Sequence, residues 1–194
     1  LLTKEIYLMI YVHNISPVAF SILNLNIYWY SLAYIFAFLI GGVYAKKILK
    51  KRNLSFKSVH VDEFLSYSII GVIVGGRIGY ILFYNVDFYI QNMSEIFKIW
   101  KGGMSFHGGL LGMIVSMILF SKKKGISLFE VSNVVACCAP IGLCFGRIAN
   151  FINGELYGIP TNGKWGVIFN TIDQIPRHPS QLYEAFFEGF VLFI

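Results

Sequence analysis

The sequence predicts an all-α fold, a polytopic bundle of transmembrane helices, and three observations carry that prediction. Of its 194 residues 56% are hydrophobic and 13% charged, where a soluble domain has about 25% charged residues. The apolar residues fall into runs long enough to cross a bilayer, which takes roughly 17–25 residues of helix. Lysine and arginine gather in short blocks between those runs, the pattern that sets membrane topology. The net charge of +6 is therefore a topology signal, and no nucleic-acid partner is expected.

Taken in order, residues 1–27 are mixed in character and broken at Ser16-Pro17, which suits an amphipathic approach along the membrane surface. The first span covers 28–45 and ends in the basic block that begins at Lys46-Lys47. The second covers 64–84, with Gly71, Gly75 and Gly79 at every fourth position. That spacing lines one helix face with glycine and lets a neighbouring helix come close. The third span, 104–120, opens on His107-Gly108-Gly109 and stops at Lys122-Lys123-Lys124. The fourth runs over 132–150 and holds Cys137, Cys138 and Cys144, whose spacing fits no zinc or redox motif and which read as thiols buried between helices. A polar outer-face loop over 151–178 is broken by Pro160, Asn162 and Gly163. A fifth span starts near Pro179, whose missing N–H is harmless at a first helical position. The chain thus reads as a single integral membrane domain over 1–194 with about five spans. It lacks an initial methionine and stops at Ile194 inside an apolar run, so further spans are expected beyond it.

Charge sets the orientation. The segments at 46–57 and 121–131 together carry nine Lys and Arg, and those at 1–27, 85–103 and 151–180 carry five. The nine-charge side is then cytoplasmic, with the N-terminus and the long loops outside. His107 at the start of the third span and Arg147 near the end of the fourth both fall at the outer surface.

Arg147 is the strongest chemical signal. A cation at the centre of an apolar span costs roughly 2.5–3.5 kcal/mol on insertion scales, so it needs a partner or a purpose. It stands in a run that continues to Asn153 and Glu155, and Gly142, Gly146 and Asn150 form one small, polar face at fourfold spacing. The guanidinium suits a two-point grip on a phosphate oxyanion, which the headgroup layer supplies. His107 is either a polar anchor or a proton acceptor, imidazole being the side chain most used for that work near neutral pH. Gly108 and Gly109 leave bare backbone beside it for a ligand. Arg77 is a second intramembrane cation, available to an anion or to a buried carboxylate such as Glu184 or Glu188. Trp29 and Tyr30 read as interfacial aromatics, and Arg177-His178-Pro179-Ser180-Gln181 as a polar cluster on the outer side. No metal spacing, P-loop or serine elbow is present, so no metal or cofactor is expected.

Four stretches carry a resemblance. Gly75-Gly76-Arg77-Ile78-Gly79-Tyr80, Gly102-Gly103-Met104-Ser105-Phe106-His107-Gly108-Gly109-Leu110, the run from Gly146-Arg147 to Glu155-Leu156, and Arg177-His178-Pro179-Ser180-Gln181-Leu182-Tyr183-Glu184 closely resemble, in order, the motifs of the bacterial prolipoprotein diacylglyceryl transferase family. The resemblance implies a multi-pass enzyme of the bacterial inner membrane with its N-terminus and active site facing outward. The implied reaction moves diacylglycerol from phosphatidylglycerol to the lipobox cysteine of a prolipoprotein signal peptide, forming a thioether and releasing glycerol phosphate. By the same resemblance His107 and Arg147 are catalytic, and Arg147, Asn150, Tyr30 and Gly158 bind substrate; Arg77 joins the substrate-binding candidates on its own chemistry, as a cation able to hold an anion. Ala149 stands where many members have glycine. The family's second essential arginine and an adjacent tyrosine would lie past Ile194. Two other classes fit a charged, apolar chain: an anion transporter lined by Arg77 and Arg147, and a non-catalytic lipid-binding membrane protein.

Overall fold

A computed structural model describes residues 10–23 and 25–194. It is helical through most of its length, as the composition requires. Among the described residues three helical segments are long and apolar enough to cross a membrane: Trp29–Lys50 (α1), Ser58–Tyr84 and Leu128–Asn153 (α5). The second of these contains α2, Val61–Tyr84. Between them lie the short α3, Val86–Gln91, and α4, Phe106–Lys124. After α5 the chain returns to helix at Ser180–Glu184 (α6) and continues as π-helix over Ala185–Val191. The chain divides into two compact units, one taking in residues up to Gly41 with Cys137–Ile194, the other Gly42–Ala136.

In the second unit α2 and α4 run antiparallel, and the glycine face foreseen on α2 is what joins them. A Cβ on Gly79 would stand 2.7 Å from Gly108 Cα, and one on Gly75 2.8 Å from Gly112 Cα. Only bare backbone fits at such distances, so glycine meets glycine across the crossing. Ser116 Oγ bonds the Tyr67 carbonyl at 2.7 Å. At the basic end Phe120 is fully buried against Phe56, Phe64 and Tyr67. The lysines there pair with Glu63, Lys124 at 2.5 Å and Lys123 at 3.4 Å. Gly125, at φ 63°, stops α4 in the left-handed conformation that glycine adopts without strain.

The first unit adds β-structure that hydropathy did not announce. Ile10–His13 (β1) pairs in parallel with Gly166–Phe169 (β4). Val18–Ile22 (β2) and Leu25–Tyr28 (β3) form an antiparallel hairpin ahead of α1. From Ile10 onward the approach segment therefore holds three short strands, favoured by the β-branched and aromatic residues in each; its first nine residues lie outside those described. The polar loop at 151–178 likewise holds a strand, and α5 reaches into it as far as Asn153. His13 is buried with Phe151 and Phe169 around it, at ring distances of 5.3 and 5.2 Å.

The cysteines depart in part from expectation. Cys138 Sγ donates to the Gly41 carbonyl at 3.5 Å, and Cys144 packs on Gly189, where an added Cβ would lie 2.9 Å from Cys144 Cα. Cys137 is exposed, since neighbouring positions on a helix point about 100° apart and only one of the pair can face α1.

Candidate active site

Arg147 sits in the last two turns of α5, its side chain 26% exposed. Its Nε lies 2.8 Å from Glu184 Oε2, and its Nη2 3.5 Å from Glu188 Oε2. The sequence offers these carboxylates to Arg77, and the structure gives them to Arg147 instead. The local reason is the Gly189–Cys144 contact. It draws the helix after Pro179 onto α5 one turn before Arg147, and positions 184 and 188 share a face in either α- or π-helical winding. Single π-helical stretches are frequent at functional sites. Gly142 and Gly146, on the same helix as Arg147, face open space.

Past Arg147 the polar residues form one network. Asn150, 6% exposed, donates through Nδ2 to Glu155 Oε2 at 3.4 Å, and Asn153 Nδ2 donates to Glu155 Oε1 at 3.2 Å. The Glu155 amide returns to the Asn150 carbonyl at 2.9 Å. Gln181, wholly buried, donates to the Glu155 carbonyl. Gly158 N donates to the His178 carbonyl at 2.9 Å, and a Cβ on Gly158 would stand 2.9 Å from His178 Cβ. That glycine is thus demanded by backbone approach. His178 Nδ1 is 3.1 Å from the Tyr183 hydroxyl and lies edge-on to Trp165. Arg177 pairs with Asp173 and lies over the Tyr157 ring at 5.0 Å. The Arg177 hydrogen bonds hold the Asp173 carboxyl below its ordinary range and push the guanidinium up.

In the same unit Tyr30 stands on the first turn of α1, its ring 5.4 Å from that of Tyr34. In the other unit His107 lies in the first turn of α4, exposed, next to the Ser105 cap whose hydroxyl accepts from Gly108 N at 3.2 Å. Its neighbours Gly108 and Gly109 are buried against α2. Their bare backbone serves the helix crossing, so it leaves no room there for the ligand that the sequence suggests.

Arg77 is 4% exposed and fully engaged. Nε donates to the Ile96 carbonyl at 2.9 Å, Nη1 to Gly102 at 2.6 Å and Gly103 at 3.2 Å, and Nη2 to Glu95 at 2.6 Å and Lys98 at 3.4 Å. A guanidinium has five N–H donors, and five carbonyls receive them. Arg77 thereby organises the loop after α3 and has no donor left for a substrate. A cavity of about 310 Å³ opens beside it, lined by Tyr80, Tyr89, Asn92 and Lys101 among others. Lys101 and Lys98 pair with Glu95 there and hold its carboxyl below the usual range.

Fold and site together define a polytopic helical membrane protein with one intramembrane guanidinium consumed by backbone and another held open. The family described as prolipoprotein diacylglyceryl transferase matches residues 17–194. The chain is 51% identical over 180 residues to the phosphatidylglycerol–prolipoprotein diacylglyceryl transferase of Rickettsia felis, across 93% of this chain and 70% of that one. It is 52% identical to the protein of the same name from Rickettsia rickettsii strain Sheila Smith over the same shares. With the Rickettsia bellii protein it is 52% identical across 93% of this chain and 68% of that one. The chain belongs to the prolipoprotein diacylglyceryl transferase family of membrane transferases.

Proposed function

We propose that this protein transfers the diacylglyceryl group of phosphatidylglycerol to the lipobox cysteine of a prolipoprotein signal peptide, at the outer face of a bacterial inner membrane. The observation that carries the reading is Arg147, an apolar-helix guanidinium that pairs with Glu184 and Glu188 through Nε and Nη2 and stays 26% exposed. Phosphatidylglycerol enters from the lipid and its phosphate sits on Arg147. The cysteine thiol gives its proton to His107, and its sulfur attacks the glyceryl carbon bonded to the phosphate oxygen. The new C–S bond replaces that C–O bond, and the bonding pair leaves with glycerol phosphate, whose growing charge Arg147 stabilises. The proton returns from His107 to the departing phosphate or to solvent. Asn150 supports the site through Glu155, Gly158 by admitting His178, and Tyr30 as an interfacial contact for the lipid. Arg77 contributes by shaping the outer loop. An anion pathway along Arg77 and Arg147 has no support, since the first guanidinium is spent on carbonyls.

The test uses the protein at its natural length in vesicles with a lipobox peptide. A diacylglyceryl mass should appear on the peptide cysteine when the vesicles contain phosphatidylglycerol and not when they contain phosphatidylcholine alone. No such mass from the wild-type protein would overturn the reading. A His107→Gln variant transferring at the full rate would remove His107 as the proton acceptor while leaving the transfer itself standing.

A further inference from the structure

We infer that Glu184 is a positioning residue, gripping Arg147 along one edge so that the opposite end of the guanidinium is presented to an oxyanion. The identity of that oxyanion, the phosphate of phosphatidylglycerol, rests on the reading above. A guanidinium offers two edges for a two-point grip, a side edge made of Nε and Nη2 and an end edge made of Nη1 and Nη2. Glu184 contacts Nε, an atom of the side edge alone, at 2.8 Å, and Glu188 contacts Nη2, the atom both edges share, at 3.5 Å. Among the described residues nothing accepts from Nη1. The tighter contact is an ion pair at the atom nearest the side-chain stem, which holds that flank of the group against Glu184. The looser one, from a carboxylate that is 45% exposed against 34% for Glu184, lies at the limit of a hydrogen bond. Placement is built into the backbone as well. Gly189 presses on Cys144 one turn from Arg147, so the carboxylate-bearing helix cannot drift from α5 without opening that contact. The end edge is thus pre-set before any lipid arrives, which is where an oriented donor gains most over a free one.

The experiment compares Glu184→Leu and Glu184→Gln, with Arg147 intact, for transfer kinetics and for lipid retention. Leucine removes the acceptor, while glutamine keeps a carbonyl for Nε and drops the charge. Glu184→Leu should lower kcat/KM for phosphatidylglycerol by about 10²-fold, the usual cost of a donor displaced by an ångström, with KM raised and thermal unfolding little moved. Glu184→Gln should recover most of that loss. Native mass spectrometry of the solubilised protein should show Glu184→Leu retaining less phosphatidylglycerol relative to phosphatidylcholine than wild type does. Wild-type kinetics in Glu184→Leu would overturn the inference, as would Glu184→Gln proving as slow as Glu184→Leu. So would a larger loss at Glu188→Gln than at Glu184→Leu. If the wild-type protein transfers nothing, the transfer reading fails alone, and lipid retention still decides the grip: equal selectivity in wild type and Glu184→Leu would overturn it.

Discussion

Arg77 and Arg147 are the same side chain under the same constraint, and the two units solve it in opposite ways. Each stands on an apolar helix where a bare charge is expensive. Around Arg77 the loop closes until five carbonyls take five donors, and the charge becomes a structural bolt. Around Arg147 two carboxylates engage Nε and Nη2 and the side chain stays 26% exposed. What separates the two arginines is how many donors their surroundings leave free.

The sharpest way to break that contrast is Arg77→Met. It removes several charge-assisted bonds worth about 1.5–3 kcal/mol each, so a loss of about 4 kcal/mol is expected on unfolding in detergent, with faster proteolysis within 85–103. Unchanged thermal unfolding would return Arg77 to the list of substrate ligands. Arg147→Gln should do the reverse, cutting transfer by about 10²–10³-fold, the scale for loss of one oxyanion donor, while the fold persists; a variant that unfolds instead would make this arginine a second bolt. The helix crossing that carries Arg77 can be loaded directly. Gly79→Val drives a side chain into Gly108 and should cost about 1–3 kcal/mol by overpacking, read as a lowered unfolding temperature. The smallest effect concerns Arg177 and Asp173. The carboxyl is depressed in the fold, so its contribution is present above its unfolded pKa of about 3.9 and is lost as pH falls through the folded value. Wild type should therefore exceed Asp173→Asn slightly in unfolding temperature at neutral pH, and the difference should shrink below about pH 4; a gap that widened in acid would reverse the assignment.

Much of the architecture is legible in the chain because lipid imposes few solutions. Apolar runs must be helices, and the fourfold glycines on α2 announce a close crossing, which α4 supplies. The need for partners at Arg77 and Arg147 is equally visible, but not who they are. Carbonyls have no side-chain signature, so the loop that satisfies Arg77 reads simply as polar sequence. Glu184 and Glu188 are visible as candidates, yet only three-dimensional packing at Gly189 and Cys144 awards them to Arg147. His107 shows the converse. Its adjoining glycines look like an opening for a ligand, while their actual partner is another helix. The strands were least legible, since four residues such as Ile10–His13 carry too little pattern to separate strand from surface segment.

That pairing of β1 with β4 has a consequence for biosynthesis. Asn170 donates to Asn14 at 2.7 Å across 156 positions of sequence, alongside the parallel strand register from Ile10 to His13. At about 5–20 residues per second a ribosome takes roughly 10–30 s to make the intervening chain. Throughout that interval β1 waits for β4, its partner strand, to be made. Closure of this sheet is therefore a late event in synthesis, and any delay in emergence of residues 166–169 leaves an unpaired strand edge for a chaperone or protease to find.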